Sequence, residues 1–152
     1  MRAPSALRRL EQGLLITGVD ATGKSCVVSG EEVAVNPIGP GFAMGIPYAT
    51  TSSPPPARPA GNAELIDQVL PPGHVRWIVV DYGPQSETPV HHTDTLDLET
   101  VLSGSVDLIL DDGIHHLDEG DMIVMTGVDH AWTAGPDGCR INAVLIGTPP
   151  PE

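Results

Sequence analysis

From His74 onward, short apolar runs alternate with turn residues at a regular spacing. His74–Tyr82, Leu96–Leu102, Val106–Leu110, Ile114–Leu117, Met122–Met125 and Cys139–Ile146 each read as a strand, being rich in β-branched and other apolar residues. Gly83–Pro84, Ser103–Gly104, Asp111–Gly113, Asp118–Gly120 and Gly135–Gly138 separate them, each supplying the Gly, Asp or Pro that a turn requires. Short strands at this spacing, with no helix-length amphipathic segment between them, predict an all-β sandwich or barrel.

The first half of the chain has a different rhythm. Leu14–Thr17 and Ser25–Ser29 read as two strands joined by a hairpin loop at Val19–Lys24. Gly18 to Ser25 matches the letters of a phosphate-binding loop, but that loop needs a helix directly after it. Cys26-Val27-Val28 favours strand instead, so a hairpin tip is expected. Upstream, Ser5 to Gly13 reads either as one or two helical turns or as a frayed start to the first strand. Residues 36 to 62 hold seven prolines and four glycines, a density that removes ladder donors and favours an extended arm or loop. A brief helix is expected over Ala63–Leu70, ended by Pro71–Pro72. The expected organisation is one structural domain, with residues 1–70 as strands and arm packing on a barrel of residues 71–152.

Charge narrows the partners. Seven basic against twenty acidic side chains give 152 residues a formal charge of −13. That field repels phosphate backbones and anionic membrane surfaces, so neither nucleic acid nor membrane is an expected partner. Cys26 and Cys139 lie far apart in no metal-type spacing, and no apolar run approaches the roughly 20 residues of a spanning helix. A soluble, cytoplasmic protein is the expectation.

Two segments carry the chemistry. Gly83-Pro-Gln-Ser-Glu-Thr-Pro-Val-His91-His92-Thr93-Asp94-Thr95-Leu-Asp97, followed by Val101-Leu-Ser-Gly104, resembles the first motif of the cupin superfamily. Asp97 stands where that motif has Glu, six residues before Gly104. Gly120-Asp-Met-Ile-Val-Met-Thr126-Gly127-Val-Asp-His130 resembles the second motif, with Thr126 in place of its proline. A subgroup of small single-domain cupins carries the His-x-Thr-Asp-x-x-Asp form of the first motif, and the ending His130-Ala-Trp132 is similar to theirs. The resemblance covers about half the chain. It implies a double-stranded β-helix, or jelly-roll, barrel with the N-terminal β-hairpin and Pro/Gly-rich arm packed on it. It also implies a homodimer and a small-molecule ligand or substrate in the barrel.

One motif histidine is missing, so the register of the strand decides the ligand set. Alternate side chains on a strand share a face, which puts His91, Thr93, Thr95 and Asp97 together and His92 and Asp94 opposite. Parity favours His91 as the inward residue; a bulge between His92 and Asp97 would turn His92 inward instead. His91, Asp97 and His130 then form a set suited to one divalent ion, Zn, Fe, Mn or Ni, with open positions. The alternative is a metal-free barrel in which both imidazoles are satisfied interior side chains. Thr93, Thr95 and Trp132 are expected to line the pocket. His92, if uncoordinated, is a candidate proton carrier, and Arg76 a candidate partner for a substrate carboxylate. The expected activity is of lyase, dehydratase, cyclase or decarboxylase type on a small oxygenated carbonyl compound, with the metal as Lewis acid. An Fe-dependent dioxygenase and a non-catalytic ligand-binding cupin are the alternatives.

Overall fold

A computed structural model describes residues 13–151, which form eleven strands and, among the described residues, no helix. The turns considered for Ser5 to Gly13 lie outside these residues up to Gly13, where the first strand begins. In chain order the strands are β1 (Gly13–Val19), β2 (Ser25–Glu32), β3 (Asn36–Gly39), β4 (Phe42–Met44), β5 (Glu64–Leu65) and β6 (Val75–Tyr82). There follow β7 (His91–His92), β8 (Thr95–Leu110), β9 (Gly113–Asp118), β10 (Met122–Met125) and β11 (Ala131–Gly147).

The barrel is a jelly roll built on two double-length strands, β8 and β11. Their outer halves serve one layer, in the order β2-β1-β10-β8-β11-β6, while β9 pairs with the far half of β8 in the other. The N-terminal hairpin is therefore part of the barrel wall, since β1 pairs in parallel with β10. Residues 85–92 extend the second layer along β11: the Thr88 amide donates to the Trp132 carbonyl, and His91 and His130 exchange both backbone bonds, each at 2.9 Å. Between the layers lies the core, with Val106, Leu108, Met125 and Val101 almost wholly enclosed.

The breaks expected at Ser103–Gly104 and Gly135–Gly138 are corrected: Leu96–Leu102 and Val106–Leu110 are one strand, β8, and the strand expected over Cys139–Ile146 begins before Gly135, at Ala131, as β11. Gly104 opposes Cys139, and the register of β11 slips between Ala134 and Cys139. A turn sequence that faces another turn sequence across a ladder forms a bulge and bends both strands without ending them. Gly104 sits at φ +73°, and a side chain there would strike the Gly138 carbonyl, so the bend depends on glycine. The hairpin tip at Val19–Lys24 forms as expected, with one Asp20 oxygen accepting from the Thr22 and Lys24 amides and from the Thr22 hydroxyl.

The helix expected over Ala63–Leu70 is absent. Glu64–Leu65 is a short strand paired with β7, and the amides before it are taken by Asp129: Asn62 at 2.8 Å and Ala63 at 3.2 Å. Tertiary hydrogen bonds of this kind override weak helical propensity. Upstream, the arm opens with the β3–β4 hairpin and is pinned further on by Arg58, whose Nε donates to Asp94 at 2.7 Å. Cys26 and Cys139 are both free thiols. No helix of the described residues is long and apolar enough to cross a membrane.

Candidate active site

The strand alternation that builds the core also leaves a cavity of about 130 Å³ at one end of the barrel. Inward side chains of five segments line it: Ile78, Val80 and Tyr82 from β6; His91 and Thr93; Asp97 and Glu99 from β8; His130 and Trp132; and Ile141, Ala143 and Leu145 from β11. Gln68, at the end of the arm, completes the lining. A larger groove of about 320 Å³ lies on the outside of the sheet and shares Glu99 in its lining, but no histidine faces it. The chemistry is in the smaller space.

His91 and His130 are neighbours by construction, since their backbones pair directly; their ring centroids stand 4.4 Å apart at a tilt of 55°. Each ring turns its Nδ1 to a backbone carbonyl two residues earlier, Pro89 for His91 at 2.8 Å and Val128 for His130 at 2.7 Å. A carbonyl only accepts, so Nδ1 must carry the proton in both, and Nε2 is left with its lone pair free. Burial depresses the pKa of His130 to about 4, against the opposing pull of the Val128 carbonyl. Its ring is neutral at ordinary pH. Trp132 meets His130 edge-on at 5.8 Å and walls that side.

The acidic side of the cavity is a hydrogen-bonded row along one face of β8 and the residues before it. Thr95 donates to Asp97 at 2.6 Å, so the Thr93–Thr95 contact at 2.8 Å must have Thr93 as donor. Burial raises Asp97 to about 7, with the Thr95 hydroxyl pulling the other way. Glu99, one step further on the same face, is buried with Oε2 unpartnered, and burial and the neighbouring Asp97 hold it well above the usual carboxylate range. Burial and then the nearby Glu99 push Tyr82 up to about 12.

Of the residues singled out in the sequence, His91, Thr93, Asp97, His130 and Trp132 share this cavity, with Thr95 buried between Thr93 and Asp97. His92 and Arg76 do not line it. His92 points away from the cavity, as the opposite parity requires, and its Nδ1 meets Asp129 at 2.9 Å. Arg76 is exposed at the end of β6, donating to the Gln68 carbonyl at 2.9 Å, so it braces a lining residue without lining the cavity. Glu99 was missed, although its place two residues beyond Asp97 put it on the same face; Tyr82 was detectable by the same rule from Ile78 and Val80.

The donors fit a divalent ion in kind: two imidazoles whose Nδ1 is held by a backbone carbonyl, and the buried carboxyl of Asp97. They share one cavity without converging on one point, for among the described residues no three His, Cys, Asp or Glu side chains are gathered tightly enough to hold an ion as they stand.

No family model matches the chain. Two proteins of the phomopsin biosynthesis cluster of Diaporthe leptostromiformis, C′ and D, are each 42% identical to it over 64 residues, 41% of this chain and 33% of theirs. A cupin-domain-containing oxidoreductase of Neurospora crassa, srdD, is 34% identical over 55 residues, 36% of this chain and 28% of that one. The matched segment thus spans about a third of the length of these curated relatives. Among solved structures, the polyketide cyclase RemF of Streptomyces resistomycificus aligns with 47% of this chain and 54% of its own, at 26% identity and a TM-score of 0.43. An RmlC-like cupin from Shewanella frigidimarina aligns with 76% of this chain and 84% of its own, at 18% identity and the same TM-score.

Proposed function

We propose that this chain is a member of the cupin superfamily and that its cavity is an enzyme site where a small oxygenated carbonyl compound undergoes proton transfer, in a lyase, dehydratase, cyclase or decarboxylase type of reaction. One observation carries the reading: both imidazoles donate Nδ1–H to backbone carbonyls, which leaves two Nε2 lone pairs facing one small, mostly apolar cavity. A satisfied structural histidine has no need to keep a nitrogen free in such a place.

His91, His130 and Asp97 would hold the ion, one of Zn, Fe, Mn or Ni, and when bound it would supply Lewis acidity to a substrate oxygen. The chain's own side chains do the rest. The Nε2 of either histidine accepts a proton from an acidic carbon or hydroxyl when it is not engaged as a ligand. Glu99, whose burial beside Asp97 favours its protonated form, donates a hydrogen bond or a proton to a developing oxyanion. Ile78, Val80, Trp132, Ile141 and Leu145 exclude water and leave room only for a small substrate. Thr93 and Thr95 hold Asp97 in place through their row of hydroxyls.

The test is elemental analysis of the purified chain after incubation with Zn, Fe(II), Mn or Ni, beside the His91→Ala, His130→Ala and Asp97→Asn variants. About one ion per chain, lost in all three variants, is expected. No ion in the wild type would remove the metal from the reading and leave an acid–base or binding cavity. The oxidoreductase named among the relatives favours a second reading, an Fe-dependent dioxygenase, for which the same Fe(II)-loaded sample would consume oxygen. Oxygen uptake above the His130→Ala background would replace the lyase reading.

A further inference from the structure

One lining residue of the cavity comes from the arm. Gln68 lies in the segment between β5 and β6, and that segment is clamped at both ends. On one side β5 runs parallel to β7, with Glu64 beside His91 and Leu65 beside His92, and the Ile66 amide donates to the His92 carbonyl at 2.9 Å. On the other, the Leu70 and Pro71 carbonyls lie so close to Gly147 that a side chain there would strike both. The Gly73 amide donates to the Gly147 carbonyl at 2.9 Å.

Between the clamps the chain holds a conformation that its sequence disfavours. Val69 has φ +52°, a left-handed backbone that is strained for a β-branched residue. Its side chain is 77% exposed, so packing of Val69 itself does not offset the strain. Two other side chains do. The Val69 amide donates to Asp67 Oδ1 at 2.8 Å, and Arg76 Nη1 donates to the Gln68 carbonyl at 2.9 Å, so both hold the one peptide group between Gln68 and Val69. The result inverts the usual sorting of side chains. From Glu64 to Val69 each residue is exposed except Gln68, so Leu65, Ile66 and Val69 face water while the amide residue is half-buried in the cavity lining. Among the described residues the Gln68 carboxamide makes no hydrogen bond; its backbone carbonyl alone is taken. Strain kept at a cavity wall, for a polar side chain that the fold itself leaves unbonded, points to recognition of a ligand.

We propose that Gln68 determines specificity in the cavity by bonding an α-hydroxy carbonyl substrate through both ends of its carboxamide, an inference that rests on the reading of the cavity as a substrate site. A carboxamide presents an N–H donor and a carbonyl acceptor side by side. A hydroxyl next to a carbonyl satisfies both, the hydroxyl donating to Oε1 and the carbonyl accepting from Nε2. A plain ketone satisfies only the donor and leaves Oε1 without a partner, at a cost in affinity. Asp67, Val69 and Arg76 are positioning residues: they fix the peptide beside Gln68 and do not line the cavity.

NMR on the full isotope-labelled chain tests this. The signals followed are the side-chain amide of Gln68, identified by its loss in Gln68→Ala, and the rings of His91 and His130. The probe is hydroxyacetone, and its matched control is butan-2-one, in which a methyl replaces the hydroxyl. Hydroxyacetone should bind with about millimolar affinity, move both sets of signals, and bind about tenfold more tightly than butan-2-one. A cavity selecting by apolar contact alone would prefer the ketone with the extra methyl. Gln68→Ala and Gln68→Met, the second keeping the length without the polar end, should abolish the preference for hydroxyacetone. Arg76→Met should reduce it about threefold with an unchanged circular dichroism spectrum, since the Arg76 side chain is exposed and a purely structural role would not discriminate between the two probes. The measurement needs neither turnover nor a metal. Histidine shifts with an unmoved Gln68 amide, or a preference that survives Gln68→Met, overturn the proposal and leave the cavity a substrate site. No shift at either histidine up to about 100 mM hydroxyacetone overturns both readings. A preference unchanged by Arg76→Met overturns its positioning role.

Discussion

At the scale of single residues, the site rests on strand parity. Counting by twos from His91 reaches Thr93, Thr95 and Asp97, and the same count explains why His92 turns away to Asp129. Glu99 is the next step of that count, at a position between Asp97 and Gly104 that the motif leaves open. Parity also places Arg76 on the inward face of β6, but the cavity ends before it, and no sequence pattern gives the length of a cavity. The buried acids make a pH prediction. In the metal-free protein Asp97 holds its proton up to about pH 7, whereas in the unfolded chain it ionises near 3.8. The folded chain therefore binds more protons across that window and loses stability as pH rises through it. Asp97→Asn removes this penalty while keeping an acceptor for Thr95. Chemical denaturation should find the variant gaining about 2–3 kcal/mol on the wild type between pH 5 and pH 8. A difference that does not change with pH would mean that Asp97 is ionised throughout.

At the scale of elements, the strands were legible and their ends were not. Apolar alternation located β6, β9 and β10 within a residue or two, but glycine and proline were read as strand breaks where they bend continuous strands. Gly104 opposes Cys139 and lies against the Gly138 carbonyl across the β8–β11 ladder, and only the pairing, which is a tertiary fact, distinguishes a bulge from a turn. Gly104→Ala puts a side chain against the Gly138 carbonyl at a positive φ, and it should cost at least about 2 kcal/mol in a denaturation series. The arm has its own anchor. Asp129 accepts from His92 and from the amides of Asn62 and Ala63, and Gly61 passes so close that a side chain there would strike both Asp129 and His92. Asp129→Ala should speed amide exchange at Asn62 and Ala63 and open residues 45–63 to limited proteolysis, with the barrel strands unaffected. Unchanged exchange at those two amides would show the arm to be held elsewhere, by Arg58 and Asp94.

At the scale of the whole molecule, composition was read for what it excludes, and its distribution was overlooked. The prolines and glycines of residues 36 to 62 predict an extended arm, but the lack of charge from Val33 to Ala57 says more about where that segment can lie. A chain of net charge −13 whose exposed apolar side chains are concentrated on a hairpin and one sheet face would meet two opposed terms in any association of two copies. Apolar contact draws copies together, and like charge elsewhere holds them apart. The second term is long-ranged and falls within a Debye length, which shrinks from about 30 Å at 0.01 M salt to about 8 Å at 0.15 M. Raising sodium chloride from about 0.01 M to 0.15 M should therefore favour any association of two wild-type copies through these apolar surfaces, the opposite of the salt response of a contact made by ion pairs. Sedimentation at the two salt concentrations reads it directly. Weakening by salt would place charged groups at the contact, and the uncharged hairpin would then have to lie outside it.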